Sequence, residues 1–285
     1  MKASELVLAP DGSLYHIRLT SSTLADKVLL VGDPDRVDMF KEIFDSVEFE
    51  SRNREIHALT GIYHGTRLTA LSTGMGCDNI DIVMTELDAA LHLSDKSDWS
   101  DKSDRHLQIV RIGTSGSLQE DIDCGSHVSS AYAIGLDGLM NYYKEWVPPL
   151  PEMDQRFMVH MGLNRRLAQP YSVPGSEVLI NKIAFDMHHG ITATAPGFYG
   201  PQGRAIRLHP SIDNLNEKLA SFEWEKCIVT NLEMETSAIY GFSHLLGHEA
   251  LTVCLIIANR PRGTFLNDYH PQMRELVGTV IERLA

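Results

Sequence analysis

The sequence predicts an α/β fold in three layers, α/β/α, with helices on both faces of a central mixed sheet. Three observations predict it. Apolar runs of strand length alternate with amphipathic stretches of helical period, several of those runs stop at glycine-rich turns, and the alternation continues along all 285 residues. In such a fold ligands bind at the loops that leave the strand ends. A chain of this length can bury a sizeable core, and one domain covering residues 1–285 is expected.

The first strand is Val28 to Val31, four apolar residues that stop at Gly32-Asp33-Pro34-Asp35-Arg36. Gly32 lets a ligand approach without a Cβ in the way, Asp33 can cap the next helix, and Pro34 suits a first helical position. The helix Asp35 to Phe44 follows, with Val37, Phe40, Ile43 and Phe44 on its inner side. Arg54 to Leu59 and Gly61 to Thr73 read as strands. The second is broken by a His64-Gly65 hairpin turn, and its part Leu68 to Ser72 runs into Gly74-Met75-Gly76. Asp78 to Leu93 is a helix with Ile80, Val83, Met84, Leu87 and Leu91 inward. Between Ser94 and Asp104 the pentamer Ser-Asp-Lys-Ser-Asp occurs twice, which marks an exposed inserted loop.

Leu107 to Ile112 is a buried strand ending in Gly113-Thr114-Ser115-Gly116, and the strand Ser126 to Ile134 follows it. The long proline-containing connection Asp137 to Gln155 suits a lid or an oligomer contact. The second half continues with helices at Arg156 to Ala168 and Glu177 to His188, a strand at Ile191 to Ala195 and a glycine-rich loop from Gly197 to Gly203. Then come the helix Ile212 to Ala220, the strand Cys227 to Thr230, the helix Glu233 to Leu246 stopped by Gly247, the strand Leu251 to Ala258 and the helix Gln272 to Leu284.

Lys plus Arg number 25 against 38 Asp plus Glu, a formal charge of -13. This argues against nucleic acid or an anionic membrane as partner, and an anionic small molecule would need a local arginine pocket. The four cysteines are scattered without a Cys-x-x-Cys pair, as in reduced, mostly structural thiols of a cytoplasmic protein. The first ten residues lack a continuous signal-peptide core and no apolar run reaches membrane-spanning length, so a soluble cytoplasmic protein is expected. His244 and His248 are four apart, but Gly247 interrupts their helix and no Glu follows the first, so no metal site is expected.

Four segments leave strands or enter helices with reactive groups: Gly32 to Arg36, Arg111 to Gly116, Phe198 to Arg204, and Asn231 to Thr236. Arg36 sits about one turn into its helix, beside the anion-attracting N-terminus. Arg111, near the end of a buried strand, needs an anionic partner or a cleft. The Thr114 and Ser115 hydroxyls and their loop amides extend the same anion site. Glu233 and Glu235 stand at a strand–helix junction, and two readings are open. They are a capping pair for the first helical turn, or one carboxylate accepts two hydrogen bonds from a vicinal diol while Met234 packs on the sugar face.

On Gly32-Asp33-Pro34-Asp35-Arg36, Ser72-Thr73-Gly74-Met75-Gly76, Arg111-Ile112-Gly113-Thr114-Ser115-Gly116 and Glu233-Met234-Glu235, the chain resembles the nucleoside phosphorylases of the uridine phosphorylase and hexameric purine nucleoside phosphorylase type. These motifs occur in family order across nearly the whole chain. The resemblance implies a phosphorylase/hydrolase-like fold in which Gly32, Arg36, Arg111 and Thr114 hold phosphate, with Arg54 supplied by a neighbouring subunit. Met234 and Glu235 would hold the ribose, and His16 would come from the neighbour to its 5′ hydroxyl. Ser115, Gly116, Phe198, Gln202, Arg204, Ile257 and Ala258 would bind the base.

Phe198-Tyr199-Gly200-Pro201-Gln202-Gly203-Arg204 resembles the pyrimidine loop of uridine phosphorylases, where the phenylalanine stacks on the base and the glutamine and arginine reach uracil. Glutamine can donate to a carbonyl and accept from N3, while arginine only donates, so the pair complements uracil and discriminates against the cytosine amino group. The last core strand ends Leu255-Ile256-Ile257-Ala258-Asn259-Arg260, without the Ser-Asp pair whose carboxyl protonates purine N7 in purine-specific relatives. Cys77-Asp78-Asn79 and Gly203 depart from the family pattern, and a monovalent cation at Glu55, Met75 and Asn79 is not expected.

The implied activity is that of a uridine phosphorylase in pyrimidine salvage, converting uridine and phosphate to uracil and ribose 1-phosphate. Arg36, Arg111, Gln202 and Arg204 would be its catalytic residues. No cofactor is implied beyond inorganic phosphate as co-substrate, and self-association with sites shared between subunits is expected. The alternatives are a purine or broad-specificity nucleoside phosphorylase and a non-catalytic nucleoside-binding homologue. Three phosphate arginines argue against the last.

Overall fold

A computed structural model describes residues 4–92, 105–163 and 166–285, so the repeated pentamers lie outside the described residues. The chain begins with β1 (Lys27–Val31), α1 (Pro34–Ile43), β2 (Ser46–Asn53), β3 (Ile56–Tyr63), β4 (Thr66–Ser72) and α2 (Cys77–His92). β5 (Gln108–Ser117) and β6 (His127–Gly135) lead through a 3-10 turn at Leu139–Tyr142 to α3 (Pro151–Met161), β7 (Tyr171–Pro174), α4 (Glu177–Ile183) and β8 (His188–Thr194). A second 3-10 turn at Gly200–Gln202 precedes α5 (Leu215–Ala220), β9 (Glu223–Trp224) and β10 (Cys227–Glu233). The chain continues through α6 (Thr236–Leu246), β11 (Glu249–Asn259) and β12 (Thr264–Phe265) to α7 (His270–Leu284).

The strands form one mixed sheet with helices outside it, in the order β12-β11-β6-β8-β10-β5-β1-β4-β3-β2. β1 lies parallel to both β4 and β5, whereas β2, β3 and β4 are antiparallel neighbours. β1 shows why its sequence is uniformly apolar: Val28 and Leu30 face the core under α2 and α6, and Leu29 and Val31 face the core under α1 and α7. Side chains alternate across a strand, so a strand covered on both sides is apolar at every position.

Part of the sheet curls. β5 pairs with β1, β10 and β11, and the run β5-β11-β6-β8-β10 returns to β5 as a closed ring of five strands. Closure needs long strands, and β5 and β11 have 10 and 11 residues. A register shift between Ile256 and Ala258 supplies a local bend in β11, whose pairing with β5 continues to Asn259. No run of apolar residues announces this closure, because a curled strand and a flat one bury the same residues.

Local signals were accurate where side chains cap the backbone. Asp33 accepts from the Asp35 amide at 2.9 Å and Pro34 opens α1. His64 and Gly65 both adopt positive φ, 46° and 81°, the geometry of a tight hairpin turn between β3 and β4. Elsewhere the boundaries move. The helix expected at Arg156 to Ala168 runs from Pro151 to Met161, because Pro151 opens it and Gly162, at φ 59°, closes it in the left-handed conformation. The helix expected to reach His188 ends at Ile183, and His188–Thr194 is β8. Gly190 allows the close approach of this strand to its neighbour: a Cβ on it would lie 2.3 Å from the Thr230 side chain of β10. β2 is a charged, exposed edge strand whose sequence Ser-Val-Glu-Phe-Glu-Ser-Arg-Asn carries little apolar signal. All four cysteines are free, and among the described residues no helix is long and apolar enough to cross a membrane.

Asp154 in α3 is 7% exposed, and its Oδ1 has no hydrogen-bond partner among the described residues. Burial pushes its carboxyl from the ordinary 3.8 up to about 6. Between those values the folded chain keeps a proton that the unfolded chain has released, so stability falls as pH rises through this window and the loss persists above it. Asp154→Asn, which has no proton to lose, is expected to be more stable than the parent by on the order of 2 kcal/mol at pH 8 and by little at pH 4. Melting temperatures at the two pH values test this. Equal gains at both would assign the effect to packing rather than ionisation.

Candidate active site

β1, β4, β5 and β11 run in the same direction, and the turns at their carboxyl ends meet around a cleft of about 750 Å³. All the residues assigned from sequence to phosphate, ribose and base line this cleft, except His16 and Arg54. A second cavity of about 850 Å³ lies across the Phe198 to Arg204 loop, shares Arg204 with the first, and is walled by apolar residues such as Leu136, Met161 and Leu208. It gathers no carboxylate among the described residues, so the chemistry belongs to the first cleft.

At one end of the cleft two buried guanidinium groups approach from different elements, Arg36 from the first turn of α1 and Arg111 from β5. Arg36 donates from Nη1 to the Ile112 carbonyl at 3.2 Å, and burial pushes its pKa down. Gly32 lines the same end. A Cβ there would meet only the Gly74 carbonyl, at 3.6 Å, so packing within the chain does not itself require the glycine.

Arg111 is 4% exposed, with Nη1 3.2 Å from Glu233 Oε2 and Nη2 hydrogen-bonded to Glu235 Oε2. Its Nε is buried without a hydrogen-bond partner among the described residues. Burial opposes the charge of Arg111, but Glu235 and then Glu233 more than offset this and leave its pKa above the ordinary value. Gly113 makes the arrangement possible, since a Cβ on it would lie 2.1 Å from Arg111 Nη1.

The two members of the acidic pair have different partners. Glu233 caps α6, accepting from the Glu235 amide at 2.9 Å, the Thr236 amide at 3.0 Å and the Thr194 hydroxyl at 2.7 Å. Glu235 instead accepts from the Gly76 amide at 2.7 Å and faces Arg111. Burial raises its pKa above the ordinary value, with Arg111 pulling the other way. Met234 lies between them on the cleft wall.

At the other end, Gln202 is almost wholly buried and held from two sides. Arg204 Nη1 donates to its Oε1 at 2.6 Å, and Arg260 Nη2 donates to its backbone carbonyl at 3.1 Å. The side chain's first acceptor position is therefore taken, which leaves the amide nitrogen as its donor into the cleft; the expected acceptance from N3 must use the second lone pair. Arg204 also lies over the Phe198 ring at 3.8 Å, and burial lowers its pKa to about 10, with Arg260 adding to the effect. Ile257 and Ala258 form the apolar wall opposite.

Sequence reasoning missed three contributors. Arg260 follows the last core strand, and its stem packs against Gly116; its position directly after the strand's last residue, Asn259, was the available signal. Asn231 donates to Ser115 Oγ at 2.9 Å from beneath the base end, a contact that its place in the strand–helix junction does not announce. Tyr269 lines the cleft near Arg36 from a part of the chain with no local motif.

His16 and Arg54 lie together, away from this chain's own cleft. Asn53 Nδ2 donates to the Tyr15 and His16 carbonyls at 2.8 and 3.1 Å, which ties that segment to the β2–β3 turn carrying Arg54. His16 Nδ1 is 2.5 Å from Glu86, so its ring is not an ordinary surface group. Arg54 is exposed at φ 55° and has no ion-pair partner among the described residues.

The sequence profile of the phosphorylase superfamily matches residues 26–284. A uridine phosphorylase of Thermococcus kodakarensis is 28% identical over 262 residues, 90% of this chain and 80% of that protein. A DeoD-type purine nucleoside phosphorylase of Alkaliphilus metalliredigens is 27% identical over 243 residues, 85% of each. A crystal structure of a Trypanosoma brucei nucleoside phosphorylase with uridine phosphorylase activity superposes with a TM-score of 0.84 at 31% identity, covering 98% of both chains.

Proposed function

The chain belongs to the phosphorylase superfamily and is a nucleoside phosphorylase, hence a pentosyltransferase, and we propose that the nucleoside it cleaves is uridine. The observation that carries this reading is the base end of the cleft. Gln202 is fixed there by Arg204 and Arg260 opposite Ile257 and Ala258, and that strand end presents no carboxyl to a purine N7.

Cleaving a glycosidic bond develops positive charge on the sugar and negative charge on the base. An anion beneath C1′ and donors at the base carbonyls therefore both favour the transition state. Arg36, Arg111, Thr114 and the Gly32 amide would hold that anion as phosphate. Glu235 and Met234 would fix the ribose, which contributes orientation. Gln202 and Arg204 would stabilise the leaving uracil. Phosphate, rather than water, is the proposed nucleophile, because two buried guanidinium groups converge on the cleft of a chain whose net charge is -13. Arg54 and His16 would complete the site of a neighbouring copy in the cytoplasm, with Arg54 as its third phosphate arginine.

A nucleoside panel assayed with and without phosphate tests the proposal. Uridine should be cleaved only with phosphate, yielding ribose 1-phosphate, and the reaction should run backwards from uracil. Purine nucleosides should react at least about a hundredfold more slowly, since a site whose buried polar groups are matched to one base leaves them unpaired with another. Equal rates on inosine would overturn the base assignment. Free ribose released in phosphate-free buffer would overturn the phosphorolytic one.

A further inference from the structure

We propose that His57, which does not line the cleft, is a positioning residue that holds the Gly32 to Arg36 turn in its anion-binding form. The inference rests on the phosphate reading above and adds a residue to it. His57 is the second residue of β3 and is 0% exposed. Its amide donates to Ser72 Oγ at 2.7 Å, and Ser72 is paired in register with Val31 at the end of β1, so His57 is anchored one strand away from the turn.

Its ring reaches the turn itself. Nδ1 is 3.1 Å from the Pro34 carbonyl, and a carbonyl only accepts, so Nδ1 is the donor in this contact. On the other side Nε2 is 3.1 Å from Glu50 Oε1. Glu50 is held by Lys41 of α1, whose ammonium, followed by the His57 ring, keeps that carboxyl below its ordinary value. The other charged groups around this contact are Asp35 and Asp38 of α1 and Arg52 of β2, whose guanidinium lies 2.7 Å from Asp38 and 3.9 Å from Asp35.

Gly32, Asp33 and Pro34 face the cleft, and proline has no N–H. Within the turn the Asp33 side chain caps the Asp35 amide and the Asp33 carbonyl accepts from the Arg36 amide at 3.1 Å, whereas the Pro34 carbonyl is tied from outside by His57. Arg36 lies two residues beyond Pro34. A site that binds a small anion tightly needs its donors held before the anion arrives, and supporting hydrogen bonds behind the binding residues do this.

Two substitutions separate the ring's two contacts. Asparagine places an amide N–H where Nδ1 stands, and glutamine places one where Nε2 stands. His57→Gln is expected to raise the KM for phosphate about five- to tenfold, the size of one lost hydrogen bond, with the uridine KM little changed. His57→Asn should keep the phosphate KM near that of the parent, and so should Glu50→Gln, which leaves the Pro34 contact in place. Calorimetric titration with inorganic phosphate should follow the same order. A phosphate KM that rises equally in the Asn and Gln variants, or in neither, overturns the proposal, as does a rise in Glu50→Gln. Failure of the parent protein to bind phosphate would instead overturn the functional reading beneath it.

Discussion

Arg111→Leu is expected to lower kcat/KM for uridine by about a thousandfold or more, since it removes a preorganised charge at the position where the nucleophile must sit. The same change should destabilise the fold by about 3–5 kcal/mol, because Glu233 and Glu235 are left buried without their cation. The two effects can be separated. Arg111→Leu combined with Glu235→Gln removes one orphaned charge and should recover part of the stability while recovering no turnover, a non-additive result expected of residues in direct contact. Arg111→Lys should fold but remain poorly active, because an ammonium cannot span two carboxylates and an anion as the guanidinium fork does. Melting temperature and kcat/KM, measured on all three, decide the matter. Turnover within about tenfold of the parent in Arg111→Leu would remove Arg111 from the reaction.

Mixing two inactive variants, Arg54→Ala and Glu235→Gln, is expected to restore about a quarter of the parent activity if two-fold dimers exchange subunits freely. Half of the dimers would then be mixed, and each mixed dimer would contain one intact site and one doubly defective site. Arg54 suits this test. It is exposed and has no ion-pair partner among the described residues, so its removal disturbs nothing within its own chain. Its neighbour Glu55 lines the cleft, yet Arg54 does not, which is the placement expected of a side chain that serves another copy. Light scattering run beside the assay is the check. A fully active monomer, or no recovery in a mixture shown to exchange, would leave Arg54 and His16 with no part in another copy's site.

Most of the cleft was legible in the sequence because its residues sit in short segments whose chemistry is local. A glycine turn after an apolar strand, an arginine one turn into a helix and an acidic pair at a strand–helix junction are each visible within about six residues. The same locality explains the weak places. β7, β9 and β12 have 4, 2 and 2 residues, too few for a period to register. β2 is an edge strand with charged side chains and carries little apolar signal. Helix ends shifted where a proline or a glycine outweighed the apolar period, as at Pro151 and Gly162.

Residue type and spacing thus determined that this chain alternates strands with helices, that β1 is covered on both faces, and that arginines, carboxylates and a Phe-Gln-Arg loop stand at strand ends. Tertiary structure alone decided how they combine. Arg111 and Glu235 are 124 positions apart, and they meet because β5 pairs with β10 as well as with β1 and β11. The same closure made Glu233 the helix cap and turned Glu235 into the cleft, a choice that two acids flanking one methionine cannot reveal. Periodicity records which face of an element is buried. It carries no information on which other element lies against that face, and the pairing of buried charges depends on that.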